Sequence, residues 1–126
     1  FGGLHFFNPE VEKLGSVVMI YYIGTGLFLG VITLMDEGLE LALGFHAGNN
    51  LIAAMLVTAD WTVFQTNSIL KDVSDPSAGI DIIVPVLIIY PIFIAIMASK
   101  YKWKDWSNKL FGSIQDPAIE AEKINS

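Results

Sequence analysis

Three long runs without a formally charged side chain constrain the fold of this chain more than any other feature. They occupy residues 14–35, 41–59 and 82–99. At 1.5 Å per residue the first run would form a helix about 33 Å long, which exceeds the hydrocarbon thickness of about 30 Å. A mean hydropathy of +0.55 indicates that these runs dominate the composition. The sequence therefore predicts an all-α, polytopic integral membrane helical bundle with about three transmembrane helices.

Breaks between the runs suggest where the spans begin and end. We predict spans at residues 14–35, 39–59 and 82–99, with a tight reversal at Asp36-Glu37-Gly38 between the first two. Asn8-Pro9 should stop any helix near Phe7, because proline disfavours helical geometry in the residue before it. The following PEVEK is interpreted as a short polar link. Residues 60–79 should leave the membrane, and two prolines, Pro85 and Pro91, should kink the third span.

Charge and aromatic residues predict an orientation and exclude one class of partner. All seven basic residues are lysines, against thirteen acidic ones, so the chain has no basic patch suited to nucleic acid. Four lysines interleave with aromatic residues in KYKWKDWSNK, after the third span. By the positive-inside rule, this places the C-terminus on the cytoplasmic side of a membrane, which we expect to be the cytoplasmic membrane of a bacterium. Residues 115–126 are acidic and polar, and we predict that they are disordered.

The segment GFHAGNN, residues 44–50, is polar in a place where a membrane span should not be. In a helix, His46 and Asn50 lie one turn apart on the same face, and Asn49 borders that face. Unsatisfied polar groups are costly in hydrocarbon, so this face should look into protein or a wet cavity. His5 is a second histidine at membrane depth. Two histidines and an amide could orient a water molecule or hold a metal ion such as zinc, but no acidic residue is predicted to lie with them.

The FGGLH segment, followed some forty residues later by the HxxxN of HAGNN, resembles motifs of the CPBP family. This family comprises the CAAX-processing and bacteriocin-processing intramembrane proteases, also called the abortive-infection family. The resemblance covers about residues 1–58. It implies that residues 1–114 are the C-terminal part of a protease domain that hydrolyses peptide bonds of a membrane-associated substrate.

The resemblance also implies roles for individual residues. His5 would act with a glutamate of the family's first motif, EExxxR, to bind or activate water. His46 and Asn50 would complete the catalytic site, stabilising an oxyanion or, with His5, holding zinc. The 126 residues contain no EExxxR and no arginine. We therefore expect that a longer protein supplies this motif upstream of Phe1, and that the present chain alone is inactive.

Other functions agree with parts of the pattern. Two histidines on different helices could ligate haem, although Asn50 would then have no role. A transporter or channel fragment would explain the polar face, but no buried acid is apparent to carry protons or ions. A non-catalytic scaffold or immunity protein of the same family is a further alternative.

Overall fold

The computed structural model describes residues 1–63 and 65–113, and this part of the chain is mostly helical. A 3-10 turn at Gly2–His5 precedes the first α-helix. The further elements, in chain order, are α1 (Pro9–Leu14), α2 (Val18–Asp36), α3 (Glu40–Leu56), β1 (Val57–Ala59), β2 (Leu70–Asp72), the composite helix (Ile80–Tyr101, whose last part is α4, Tyr90–Tyr101) and α5 (Trp106–Phe111).

The segment after Asn8 is a helix, so the interpretation of PEVEK as a link was wrong. Asn8 has the extended conformation expected before proline, with φ −69° and ψ 147°. Pro9 is the first residue of α1, a position where its missing N–H costs no hydrogen bond. Gly15 then adopts a left-handed φ of 77° and separates α1 from α2. Leu14 therefore belongs to α1, and the first long helix begins at Val18 rather than at residue 14.

The predicted reversal between the first two long helices is confirmed. Helix α2 ends at Asp36, and Glu37 takes a left-handed φ of 56°. The Gly38 N–H then donates to the Thr33 carbonyl at 3.2 Å, which satisfies one of the last carbonyls of α2. Helix α3 begins at Glu40, close to the predicted start.

The end of α3 differs from the prediction. The helix stops at Leu56, and Val57–Ala59 pairs in parallel with Leu70–Asp72, so the chain is not entirely α-helical. The hydroxyls of Thr66 and Ser68 both donate to the Ala54 carbonyl, each at 2.6 Å. These hydroxyls satisfy a carbonyl near the end of the helix, where helix geometry leaves carbonyls unpaired.

The composite helix is distorted between its two prolines. Pro85 begins a π-helical segment, Pro85–Ile89, and Pro91 follows it as the second residue of α4. The π segment includes Leu87, whose carbonyl the Pro91 ring would meet in a regular α-helix.

The buried core lies where α2, α3 and the composite helix meet. Phe28 and Tyr90 stack with ring centroids 4.4 Å apart, and Ile32 and Ala42 pack in the same cluster. Thr25 and Tyr90 share a buried hydrogen bond between their hydroxyl oxygens at 2.8 Å. Outside this cluster many large apolar side chains are exposed; in the composite helix alone they include Leu87, Ile88, Ile92 and Ile96.

Two helices, Val18–Asp36 and Ile80–Tyr101, are long and apolar enough to cross a membrane. Helix α3, with 17 residues, is shorter than either. By length and composition, two helices of the described region could therefore span a membrane.

Close packing of α2 involves Gly24 and Gly26, since a methyl group added at Gly26 would lie 3.4 Å from the Phe1 side chain. A methyl group added at Gly24 would lie 2.5 Å from the Val86 Cγ1 atom, whereas one added at Gly30 would meet no atom within 4 Å. A methyl group added at Gly44 or Gly48 would likewise meet no atom of the described residues within 4 Å.

The segment after the composite helix folds back onto the end of α2. The Trp103 indole N–H donates to Asp36 Oδ1 at 3.3 Å. Lys109 Nζ donates to the Met35 carbonyl at 3.1 Å and forms a 2.8 Å ion pair with Glu37. The 36–38 reversal and the lysine-rich segment thus lie at the same end of the bundle. The predicted disorder of residues 115–126 lies outside the described residues.

Candidate functional site

A cavity of about 480 Å³ lies between the N-terminal turn, α1, α2 and α3, and it contains all three predicted site residues. His5, His46 and Asn50 line it together with Asn49, Asn8, Glu10, Tyr21, Tyr22, Thr25, Phe1, Leu4, Ala53 and Val63. The volume falls within the range typical of small-ligand sites, about 300–1,000 Å³. The residues that the sequence singled out from separate segments are therefore neighbours in space.

His5 is held by an aromatic stack and by an amide. Its ring stacks on Tyr22 with a centroid separation of 4.4 Å and an interplanar angle of 9°. Asn8 Nδ2 donates to His5 Nδ1 at 3.0 Å. Because that nitrogen accepts, the neutral ring carries its hydrogen on Nε2.

His46 and Asn50 form the one-turn pair that their spacing predicts. Asn50 Nδ2 donates to His46 Nε2 at 3.2 Å, so the neutral ring of His46 carries its hydrogen on Nδ1. The Phe1 ring contacts both imidazoles, with centroids 4.9 Å from His5 and 5.0 Å from His46. Each imidazole thus retains one N–H for a bound group.

The cavity also contains a carboxylate, contrary to the expectation that no acidic residue joins the histidines. Glu10 lines the cavity from α1, and its Oε1 accepts the Val63 backbone N–H at 2.8 Å. Its Oε2 is buried and has no hydrogen-bond donor among residues 1–63 and 65–113. Glu40, Asp60 and Asp81 do not line the cavity, and Asp60 instead pairs with Lys71 at 2.8 Å.

Burial lowers the pKa of His5 below its ordinary value of about 6.5. The nearby His46 lowers this pKa further, while the negative charge of Glu10 opposes both effects. The neutral imidazole is therefore favoured at His5 near pH 7.

His5 and His46 are not joined by a third potential metal ligand in the part of the chain that the structure describes. No three histidine, cysteine or acidic side chains within it come close enough to share a metal ion. The acceptor nitrogen of each imidazole is also bonded to an asparagine amide. The described residues do not by themselves supply the three protein ligands of a catalytic zinc site.

Five polar residues that line the cavity were not predicted from the sequence as site residues. Asn8 had a usable signal, since it lies three residues after His5 and before a proline that sets its backbone. Glu10 would have required recognising PEVEK as a helix. The hydroxyl-bearing residues Tyr21, Tyr22 and Thr25 could not be assigned to the site, because periodicity alone does not show which face of α2 meets α3.

Comparison with known proteins shows one partial likeness. The chain is 34% identical over 64 residues to the uncharacterized protein YyaK of Bacillus subtilis (strain 168). The match covers 51% of the chain and 21% of the relative, so the chain spans about a fifth of that protein's length. No protein-family model matches the chain, and no solved structure matches it.

Proposed function

We propose that this chain is part of an intramembrane endopeptidase that resembles the CPBP family. The observation that carries the proposal is the convergence of His5, His46 and Asn50 on one cavity beside two apolar helices. Their motifs are those through which the sequence resembles that family. Since the chain spans about a fifth of the relative it matches, the activity belongs to the full-length protein.

The hydrogen-bonding state of the cavity is compatible with peptide hydrolysis. Attack of water on a peptide carbonyl places negative charge on the carbonyl oxygen, and preorganised donors stabilise that charge. The His46 Nδ1–H and the second Nδ2 hydrogen of Asn50 are two such donors. His5 would orient the water. The glutamate of the family's EExxxR motif would accept the water's proton and pass it to the leaving amine.

The same proposal includes a bundle of about three spans in a bacterial cytoplasmic membrane. Helix α3, with 17 residues, would be about 26 Å long and would be the third crossing. The lysine-rich segment and the 36–38 reversal meet through Trp103, Asp36 and Lys109, so both would lie on the cytoplasmic side.

The test is cleavage of a quenched fluorescent transmembrane peptide by the full-length protein in liposomes. We expect His46→Ala and Asn50→Ala each to lower the rate by about 10²–10³-fold, the usual cost of losing an oxyanion donor. Gly48→Ala is the matched control on the same helix, because the added methyl group would meet no atom within 4 Å. Cleavage at the normal rate by both His46→Ala and Asn50→Ala would contradict the proposal.

A further inference from the structure

Glu10 presents one bound and one unbound oxygen to the cavity. The Val63 backbone N–H fixes Oε1 at 2.8 Å and thereby sets the orientation of the carboxylate. Oε2 is buried, and within the described residues no donor reaches it. A buried carboxylate oxygen without a donor is unfavourable, so the cavity favours an occupant that donates a hydrogen bond at this point.

Within the part of the chain that the structure describes, no lysine forms an ion pair with Glu10. The two ion pairs found within residues 1–63 and 65–113 are Lys71 with Asp60 and Lys109 with Glu37. The cavity lining contains no lysine, and the sequence contains no arginine. The amide nitrogens of Asn8 and Asn50 each donate one hydrogen to an imidazole, and neither donates to Glu10.

The rest of the lining is compatible with a ligand that is cationic at one point and apolar beside it. Phe1, Leu4, Ala53 and Val63 supply apolar surface around the polar groups. Glu10 is the acidic side chain of this lining, and its negative charge attracts a positive group. A charge-assisted N–H···O bond is stronger than the neutral one that water would make.

We propose that Glu10 binds a basic side chain of a peptide ligand, so that the site selects peptides with a lysine or arginine flanked by apolar residues. This inference rests on the proposed function only in taking a peptide as the ligand. The carboxylate geometry itself requires a donor or a cation, whatever reaction the site performs.

The test compares three tripeptides, Ac-Leu-Lys-Leu-NH₂, Ac-Leu-norleucine-Leu-NH₂ and Ac-Leu-Glu-Leu-NH₂, binding to the full-length protein. The protein is placed in phosphocholine nanodiscs, whose zwitterionic lipid does not itself concentrate cations. Isothermal titration calorimetry gives the affinities, and mass spectrometry afterwards shows whether the peptides remain intact. We expect the lysine peptide to bind at least about tenfold more tightly than the norleucine peptide.

Variants of Glu10 assign that preference to its charge. Glu10→Gln keeps an oxygen for the Val63 N–H but loses the charge, so the lysine preference should disappear. Glu10→Lys should favour the glutamate peptide instead. Glu12→Gln is the matched control on the same helix, because Glu12 is exposed and does not line the cavity.

The outcomes separate this inference from the proposed function. Equal binding of the three peptides, no binding of any of them, or a lysine preference that persists in Glu10→Gln overturns the role of Glu10, even if the peptides are cleaved. A lysine preference that Glu10→Gln removes supports that role, even if every peptide remains intact and the protease proposal fails.

Discussion

At the scale of residues, the two imidazoles are held mainly by local contacts. Asn8 lies three residues from His5, and Asn50 lies four residues from His46, so each ring is oriented by an amide on its own segment. Phe1 then contacts both rings and brings the two local pairs together. Such neighbouring groups fix ring orientation and tautomer, as outer-shell partners do at many histidine sites.

The lowered pKa of His5 predicts a loss of stability on the acid side of neutrality. The unfolded chain takes up a proton at His5 near pH 6.5, whereas the folded chain does so at lower pH. His5 therefore contributes to the stability of the folded state fully above pH 6.5. This contribution to the free energy of unfolding is lost as the pH falls from 6.5 through the pKa of His5 in the folded chain. Thermal unfolding in detergent between pH 7.5 and 5 should show this decline, and His5→Gln should reduce it.

The pKa of His5 can be measured directly by an NMR titration of its ring. The midpoint of this titration should lie below pH 6.5. Glu10→Gln should lower the midpoint further, because Glu10 is the group that raises this pKa. A midpoint at or above 6.5 in the wild-type protein would contradict the prediction.

The predictability of the site follows from how far apart its partners are in the sequence. The HxxxN spacing needs only helical periodicity to place both side chains on one face, and in the structure Asn50 bonds His46 across that face at 3.2 Å. Glu10 depends on a contact with Val63, 53 residues away, and on a short helix that begins at a proline. No local pattern shows that tertiary contact, so the acidic member of the cavity was missed.

At the scale of elements, α2 meets the composite helix through a small residue and a polar pair one position apart. Gly24 admits the Val86 side chain, and Thr25 bonds Tyr90 across the same contact at 2.8 Å. Thr25 also donates to the Tyr21 carbonyl at 2.7 Å, so its hydroxyl is satisfied on both sides. Buried polar groups satisfied in this way fix the register of one helix against the other.

Replacing Gly24 with alanine should destabilise this contact by about 1–3 kcal/mol, the usual cost of overpacking. The added methyl group would lie 2.5 and 2.7 Å from the two Val86 methyl groups, and a β-branched side chain has few alternative rotamers. The free energy of unfolding, measured by SDS titration from mixed micelles, checks this.

Gly30→Ala is the control on the same helix, since its methyl group would meet no atom within 4 Å. We expect it to be neutral or to stabilise α2 by up to about 1 kcal/mol through its higher helix propensity. Equal effects of the two substitutions would contradict the packing interpretation.

The ends of the elements were harder to predict than their existence. The long apolar runs predicted that the helices exist. Helix α2 nevertheless begins later than predicted, after Gly15, and α3 ends earlier, at Leu56, where the β1–β2 pairing begins. Strand pairing between Val57 and Leu70 depends on two three-residue segments separated by a loop. Periodicity over three residues does not distinguish a strand from the last turn of a helix.

At the scale of the whole molecule, many large apolar side chains lie on the surface, whereas few are buried in the core. Leu87, Ile88, Ile92 and Ile96 project from the composite helix and remain at least half exposed. A large contiguous apolar surface marks contact with lipid or with another protein. This surface is consistent with the membrane character of Val18–Asp36 and Ile80–Tyr101.

The absence of cysteine makes the topology directly testable. Single cysteines can be placed by Leu39→Cys and Lys104→Cys, near the end of the bundle where the 36–38 reversal meets the lysine-rich segment. Asn67→Cys places one after the other end of α3. If α3 crosses the membrane, an impermeant maleimide should label the first two from one side and the third from the other. The unsubstituted chain is the background control. Labelling of all three positions from the same side would contradict a crossing by α3.

The contact of Lys109 with the Met35 carbonyl bears on the order in which the protein is made. Seventy-four residues separate the two, so the ribosome completes α2 well before the lysine is synthesised. Until then, this carbonyl, one of the last four of α2, lacks its Lys109 donor. Tyr90, which bonds Thr25, is likewise synthesised 65 residues after it. The histidine-bearing segments are thus translated before the residues that complete these contacts of α2.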